Sequence, residues 1–356
     1  MSWQDIVGHD RQIERFRRSI QQQRLATTFL FVGPEGIGKR TFALKLAQAM
    51  LCSRVPEAKL EPCGACPECT QVESNSHPDL QVVSKPADKA YIPVDTFIGD
   101  RDHRMRAGLC HFISLTPSGG KRRIAIVDDA DWLNVEGANS LLKTLEEPSP
   151  GAVIILISTS LQRQLPTIRS RSQVIQFHPL ADEQVADCLL RTGAAESTEQ
   201  AHEMASRAAG SISGAIAMSD PGIIEFRRAL FAELAKPSIS RHRLAKLVNE
   251  FADANGKEAA ARRKQLRLAF DCAIVFYRGL LRACCESSET PDVELQQHIS
   301  QLLEQTEPNL DLMIWQLDRC VESLQHVRSN ANLGILVDAW VCDLATTNRR
   351  TFVVTT

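Results

Sequence analysis

Short apolar runs alternate with stretches of helical spacing through the first 180 residues, and then the runs stop. TFLFV (28–32), LQVV (80–83), RIAIVD (123–128), VIILIS (153–158) and SQVIQF (172–177) read as strands. Between them, Lys39 to Met50 reads as a helix with apolar faces formed by Phe42, Leu44, Leu46, Ala47 and Met50. Residues 95–113 have mixed helical periodicity, and Asn134 to Glu146 is a helix that stops before Pro148. Strands alternating with helices imply a parallel sheet covered on both faces. After Pro179 the pattern is helical: Ala181 to Arg191, Thr198 to Ala209 and Ser213 to Ser219 form a small module. From Pro221 to about Asp343 the chain is helical, with breaks expected near Pro237, Pro291 and Pro308. The expected organisation is an α/β domain over 1–180 with a cysteine-rich insert at about 50–75, a small helical module over 181–220, and an all-α domain over 221–356. Neither an internal repeat nor a low-complexity segment interrupts this pattern.

Composition narrows the function classes. A chain of 356 residues has room for two or three domains. A net charge of −2 means that any contact with nucleic acid must come from a local patch or from helix N-termini. Only 5% of residues are aromatic, which disfavours a base-stacking surface. No stretch approaches the roughly 20 apolar residues of a membrane span, and MSWQDIVGHD has no basic-then-apolar signal. The expected compartment is the cytosol. Eleven cysteines, an odd number, in that setting argue against a disulfide framework.

Residues 33–41, GPEGIGKRT, follow the first strand and open the first helix. That is the context required of the phosphate-binding loop G-x-x-x-x-G-K-[ST]. Gly33, Gly36 and Gly38 let backbone N–H groups close around phosphate oxygens, the helix adds its positive N-terminus, and Lys39 would reach the β- and γ-phosphates. Arg40 stands where a Ser or Thr should hold Mg²⁺, and an arginine cannot ligate a cation. Thr41 comes one residue late, about 100° around the helix, and is a poor substitute. RIAIVDDAD (123–131) is a strand ending in acids, the second nucleotide motif: Asp128 would orient Mg²⁺ and Asp129 would activate water. An Asp at the second place reaches less far than a Glu. Retained ATP binding and a relic loop both remain open, with hydrolysis disfavoured.

Cys52, Cys63, Cys66 and Cys69 suit a closed tetrahedral Zn²⁺ site. The short CxxCxxC part also fits an iron–sulfur site, and the bland alternative is free thiols in a loop. Four ligands leave no open position, so the expected role is structural. Among basic runs, KRR (121–123) reads as a solvated strand entry and ARRKQLR (261–267) as a surface helix. Trp315 and Trp340 are candidates for core or subunit contacts.

NSLLKTLEEPSP (139–150) and LPTIRSRS (165–172) are weak signals physically, but they carry a resemblance. The chain resembles the clamp-loader branch of the AAA+ ATPases, which has a helix close to N-x-L-L-K-x-L-E-E-P, a Ser-Arg-Cys loop and a four-cysteine zinc insert after the first helix. Asn139, Leu141, Leu142, Lys143, Leu145, Glu146, Glu147 and Pro148 match the helix. Ser170-Arg171-Ser172 matches the loop with Ser172 in place of Cys, and Cys52, Cys63, Cys66 and Cys69 match the insert. The resemblance covers residues 1 to about 220 well and the remainder loosely, through NANLGILVDAW (330–340).

The resemblance implies a P-loop AAA+ domain, a helical lid and an all-α collar. By family pattern a hydrolysing subunit has Lys-Thr in the loop, a Glu in the acid pair and Gly-Ser-x-Arg in the lid. Here Arg40, Asp129 and Ser213 depart from all three. The chain is therefore similar to the family's largely non-hydrolysing end subunit. Arg171 then inherits the role of a finger acting in trans on a neighbour's ATP, and Thr159 that of the γ-phosphate sensor. The implied partners are gamma/tau-like ATPase subunits, a delta-like subunit, a sliding clamp, and primed DNA reached through the complex, without a membrane. The competing expectations are an ATP-hydrolysing motor subunit and a DNA-binding zinc protein.

Overall fold

The computed structural model describes residues 3, 6–86, 89–119, 121–285, 292–328 and 331–350, with the backbone alone at 328 and 346–350. The chain divides into two compact units, Met1–Ile216 and Ala217–Thr356.

The first unit runs α1 (Asp10–Gln21), β1 (Thr28–Val32), α2 (Lys39–Leu51), α3 (Pro67–Glu73), β2 (Leu80–Val83), α4 (Asp95–Ile98), α5 (Gly108–Ser114) and β3 (Arg123–Val127). It continues with α6 (Val135–Glu146), β4 (Ala152–Ser158), α7 (Pro166–Arg169), β5 (Gln173–Gln176), α8 (Asp182–Arg191), α9 (Thr198–Ser206) and α10 (Ile212–Ala217). The five strands are parallel in the order β2-β3-β4-β1-β5. This is the sheet expected from the alternating pattern, covered by helices on both faces. Every residue of β1 is buried, and the strand is apolar from Phe29 to Val32. Phe29 and Phe31 pack with Phe16 of α1 and Phe42 of α2, while Leu30 and Val32 face the opposite core, with Leu141 and Leu145 of α6.

Three features depart from the sequence reading. Helix α1 was not anticipated, although Ile13, Phe16 and Ile20 recur at helical spacing and are buried. The helical stretch at 95–113 is two short helices, not one. Gly99 and Gly108 both adopt positive φ (+80° and +81°), and a Cβ on Gly99 would lie 2.5 Å from the His103 carbonyl oxygen. The intervening turn is held by Asp100, whose Oδ1 accepts the His103 N–H at 2.8 Å. KRR is also not simply solvated. Arg123 is buried against Asp79 at 2.8 Å, Arg122 pairs with Glu57 at 2.9 Å, and Lys121 donates to the Cys52 carbonyl. These residues tie the cysteine insert to the sheet.

Helices α8 to α10 close on a small core of their own, with Leu180, Val185, Leu189, Ala201, Met204, Ala205 and Ala215 buried together. The second unit is helical throughout its described residues: α11 (Pro221–Leu234), α12 (Arg241–Asp253), α13 (Ala259–Cys285), α14 (Val293–Gln305), α15 (Leu310–Arg328) and α16 (Leu333–Arg350). Breaks fall near Pro237 and Pro308; Pro291 lies outside the described residues. A further break at Gly256 (φ +113°) separates α12 from α13. Trp340 is core, donating from its indole N–H to the Cys320 sulfur at 3.4 Å, whereas Trp315 is partly exposed. Arg227 is buried against Asp292 and Glu294. Among the described residues no helix is long and apolar enough to cross a membrane.

Candidate nucleotide loop, metal cluster and exposed arginine

Strands β3, β4 and β1 are neighbours, so the segments leaving their carboxyl ends meet at one edge of the sheet. These are the acid pair, Thr159 and the glycine loop. Such edges of parallel sheets are where open α/β folds place ligands. Gly36 and Gly38 adopt positive φ (+78° and +93°), and Gly38 is the residue from which α2 starts. Gly33 is pressed against the sheet: a Cβ there would lie 2.5 Å from the Phe177 carbonyl oxygen. His9, buried, bonds through Nε2 to the Ile37 carbonyl at 2.7 Å.

The loop satisfies its own charged groups. The Lys39 ammonium is buried and donates to the Gly33 carbonyl at 2.6 Å and to that of Pro34. Burial lowers its pKa, partly offset by Asp131, Glu35 and Asp128. Arg40 extends to Asp128, 3.3 Å away. Thr41, in the first turn of α2, is exposed. The helical module sits on the loop. The Ile212 N–H donates to the Gly36 carbonyl at 2.9 Å and the Ser211 hydroxyl to the Glu35 carbonyl at 2.9 Å. A Cβ on Gly36 would lie 1.9 Å from the hydroxyl oxygen of Ser213.

The other expected residues are placed less simply. Asp129 lies in the left-handed region (φ +60°), and its Oδ2 accepts from the Lys85 backbone N–H at 3.4 Å. Thr159 gives both its N–H (2.8 Å) and its hydroxyl (2.6 Å) to Asp131. Asp131 also accepts from Ser158 and Gln164, so it organises the end of β4. The sequence reading did not single it out. Its position in a 3-10 turn just after the acid pair, in DDAD, is the one available signal.

Cys52 closes α2, Cys66 caps α3 and Cys69 lies in its first turn. Cys63 completes the set, and the four sulfurs lie within 4.8 Å of one another. The Cys52–Cys66 and Cys63–Cys69 separations are both 3.9 Å. A disulfide would need about 2.05 Å, whereas a tetrahedral ion with 2.3 Å bonds places its sulfurs about 3.8 Å apart. The cluster therefore has room for a single ion and not for a cage of iron and sulfide. Burial raises the Cys66 thiol, but donors from Cys69 and Ser53 outweigh it and bring it to about 6. Burial and the neighbouring sulfurs push Cys69 up.

Arg171 lies elsewhere, at the turn from α7 into β5. Its Nη2 meets Glu146 at 2.5 Å, and its Nη1 donates to the Thr167 carbonyl (3.1 Å) and the Ser170 hydroxyl (3.2 Å). Ser172, at the Cys position of the motif, donates to the Ile168 carbonyl at 2.8 Å and keeps the turn closed.

Residues 8–181 match the profile of the family described as DNA polymerase III, delta subunit. The chain is 33% identical over 191 residues to the DNA polymerase III subunit delta' of Bacillus subtilis, covering 53% of this chain and 54% of that protein. It is 39% identical over 146 residues to the subunit delta' of Pseudomonas aeruginosa, covering 41% of each. The subunit tau of Escherichia coli is 27% identical over 295 residues, 78% of this chain and 42% of that protein. The chain thus spans about half the length of these curated relatives.

Proposed function

We propose, from the match of residues 8–181 to the family described as DNA polymerase III, delta subunit, that this chain works as a delta-prime subunit of a bacterial clamp loader. In this reading it is a largely non-hydrolysing stator. It stands beside gamma/tau-like ATPase subunits and a delta-like subunit, and helps them load a sliding clamp on primed DNA. Residues 221–356 serve as the collar through which the subunits assemble, and 181–220 as the lid. The observation that carries the reading is the Arg40–Asp128 pair: the residue at the metal-ligand position holds the acid that would otherwise orient Mg²⁺. The inward-turned Lys39 and the lid seated on Gly36 support it.

Arg171 acts in trans. Exposed on the turn before β5, it reaches the ATP held by a neighbouring subunit and stabilises charge on the transferring phosphoryl group. Comparable fingers are worth about 10³–10⁵ in rate. Cys52, Cys63, Cys66 and Cys69 hold a structural Zn²⁺, which, when bound, offsets the charge of four thiolates and folds the insert.

The test is a loader reconstituted with either wild-type or Arg171→Ala chain. The variant should assemble normally and lose DNA-stimulated ATPase. Normal ATPase in the assembled variant would remove the finger role. Robust phosphate release by the isolated wild-type chain would instead favour a motor subunit.

A further inference from the structure

Two glutamates follow one another at the end of α6, and only one of them touches Arg171. Glu146 Oε1 lies 2.5 Å from Nη2, while the neighbouring Glu147 has no side-chain partner among the described residues. We infer that Glu146 is a positioning residue for Arg171, fixing the guanidinium before a partner's nucleotide arrives. The inference rests on the reading of Arg171 as a finger in trans.

The carboxylate is itself well supported. Helix α6 begins at Asn134, whose side chain accepts the Gly137 N–H at 2.7 Å. Its Leu141 and Leu145 are buried in the same core as Ile168 of α7. The helix that carries Glu146 and the helix that delivers Arg171 are therefore joined by apolar packing, and the ion pair bridges their ends. Across that bridge the guanidinium makes three bonds, to Glu146, the Thr167 carbonyl and the Ser170 hydroxyl. A guanidinium has five N–H donors in a rigid fork. Two remain, without partners among the described residues, and they can meet a second anion.

An arginine on a flexible stem loses rotamer freedom when it engages a phosphate, and holding it beforehand removes part of that loss at the moment of reaction. Because Glu146 acts through Arg171, its contribution must vanish when Arg171 is absent.

The experiment uses the reconstituted loader, with the other subunits wild type, and follows DNA-stimulated ATPase. Glu146→Ala should lower kcat by up to about five-fold, the upper end of what a partly exposed ion pair contributes, with KM for ATP unchanged. Glu146→Gln, a neutral acceptor of the same reach, should recover most of the loss, and Glu147→Ala should change nothing. In an Arg171→Ala background, Glu146→Ala should cause no further loss. Wild-type activity of Glu146→Ala, or a loss that persists in full without Arg171, would overturn the inference while leaving the finger role standing. Full activity of Arg171→Ala would overturn the finger role, and the inference with it.

Discussion

The guanidinium of Arg40 lies 3.3 Å from the carboxylate of Asp128. In a phosphate-binding loop those two positions jointly hold Mg²⁺; here one holds the other. The positive charge that a nucleotide would bring in with its metal is already part of the chain. Arg40→Thr should therefore create a dependence on Mg²⁺ that the wild type lacks. A fluorescent ATP analogue should bind the variant at least about ten-fold more tightly with Mg²⁺ than without it, the metal now bridging Asp128, the introduced hydroxyl and phosphate oxygens. Equal binding with and without the metal would mean that Arg40 is not what excludes it.

Gly36 joins the glycine loop to the small helical module. Its φ is +78°, and an added Cβ would overlap the Ser213 hydroxyl at 1.9 Å. Gly36→Ala should strain the loop by about 1–3 kcal/mol and lift α10 away from it. Limited proteolysis should then cut faster between Arg207 and Ile216 than in wild type. An unchanged cleavage rate there would show that α10 is held by something other than this contact.

Asp79 and Arg123 form an ion pair deep in the first unit, with side-chain exposures of 1% and 7%. Asp79 also accepts the backbone N–H groups of Ser118 and Gly119 at 2.8 and 2.9 Å. Asp79→Ala leaves a buried guanidinium and two donors without an anion, and should cost about 3–5 kcal/mol. The unfolding midpoint of the first unit, followed by denaturant titration, should fall accordingly. A shift within the range of a surface substitution would contradict the burial of the pair.

Metal removal should act locally. A chelator, or Cys66→Ser, should release zinc and make the segment from Cys52 to Glu73 sensitive to protease. The sheet core around Phe31 and Ile155 belongs to a separate cluster and should keep its cooperative unfolding. Metal analysis of the purified chain checks the premise: about one zinc per chain is expected for a single four-cysteine site.

His9 gives the first unit a pH dependence of known sign. Burial lowers its pKa from 6.5, against the opposing pull of its bonds to Ile37 and Gly8 and of Asp10. The native state thus favours the neutral ring, and the unfolded chain takes up its proton first. The contribution of His9 is present above about pH 6.5 and declines as pH falls below that value toward the folded pKa. His77 and His298 are shifted in the same direction, so the measurement is a difference. His9→Gln, which can still donate to Ile37, should flatten the fall in stability below about pH 6.5 relative to wild type. Parallel stability curves would remove His9 from the account.

The individual strands, the glycine loop and the four cysteines were legible along the chain because each depends on local pattern. A fully buried strand must be apolar throughout, as Thr28–Val32 nearly is. A loop around phosphate needs glycines at set offsets, and a tetrahedral site needs four sulfurs on a short tether. The departures at Arg40 and Asp129 were visible for the same reason, since each is a residue of the wrong type at a known offset.

What the linear order could not supply was where those parts go. The strand order, with β1 between β4 and β5, brings Asp128 to Arg40 and Thr159 to Asp131. The Ser211–Glu35 bond joins residues 176 positions apart. The KRR run read as solvated because a sequence shows charge and not its partner. Folding placed Asp79 against Arg123, Glu57 against Arg122 and the Cys52 carbonyl against Lys121. Burial periodicity is a property of neighbouring residues, so the chain reveals it. A charge is stabilised in the interior only by whatever distant group the fold returns to it, and that pairing was decided by the tertiary structure alone.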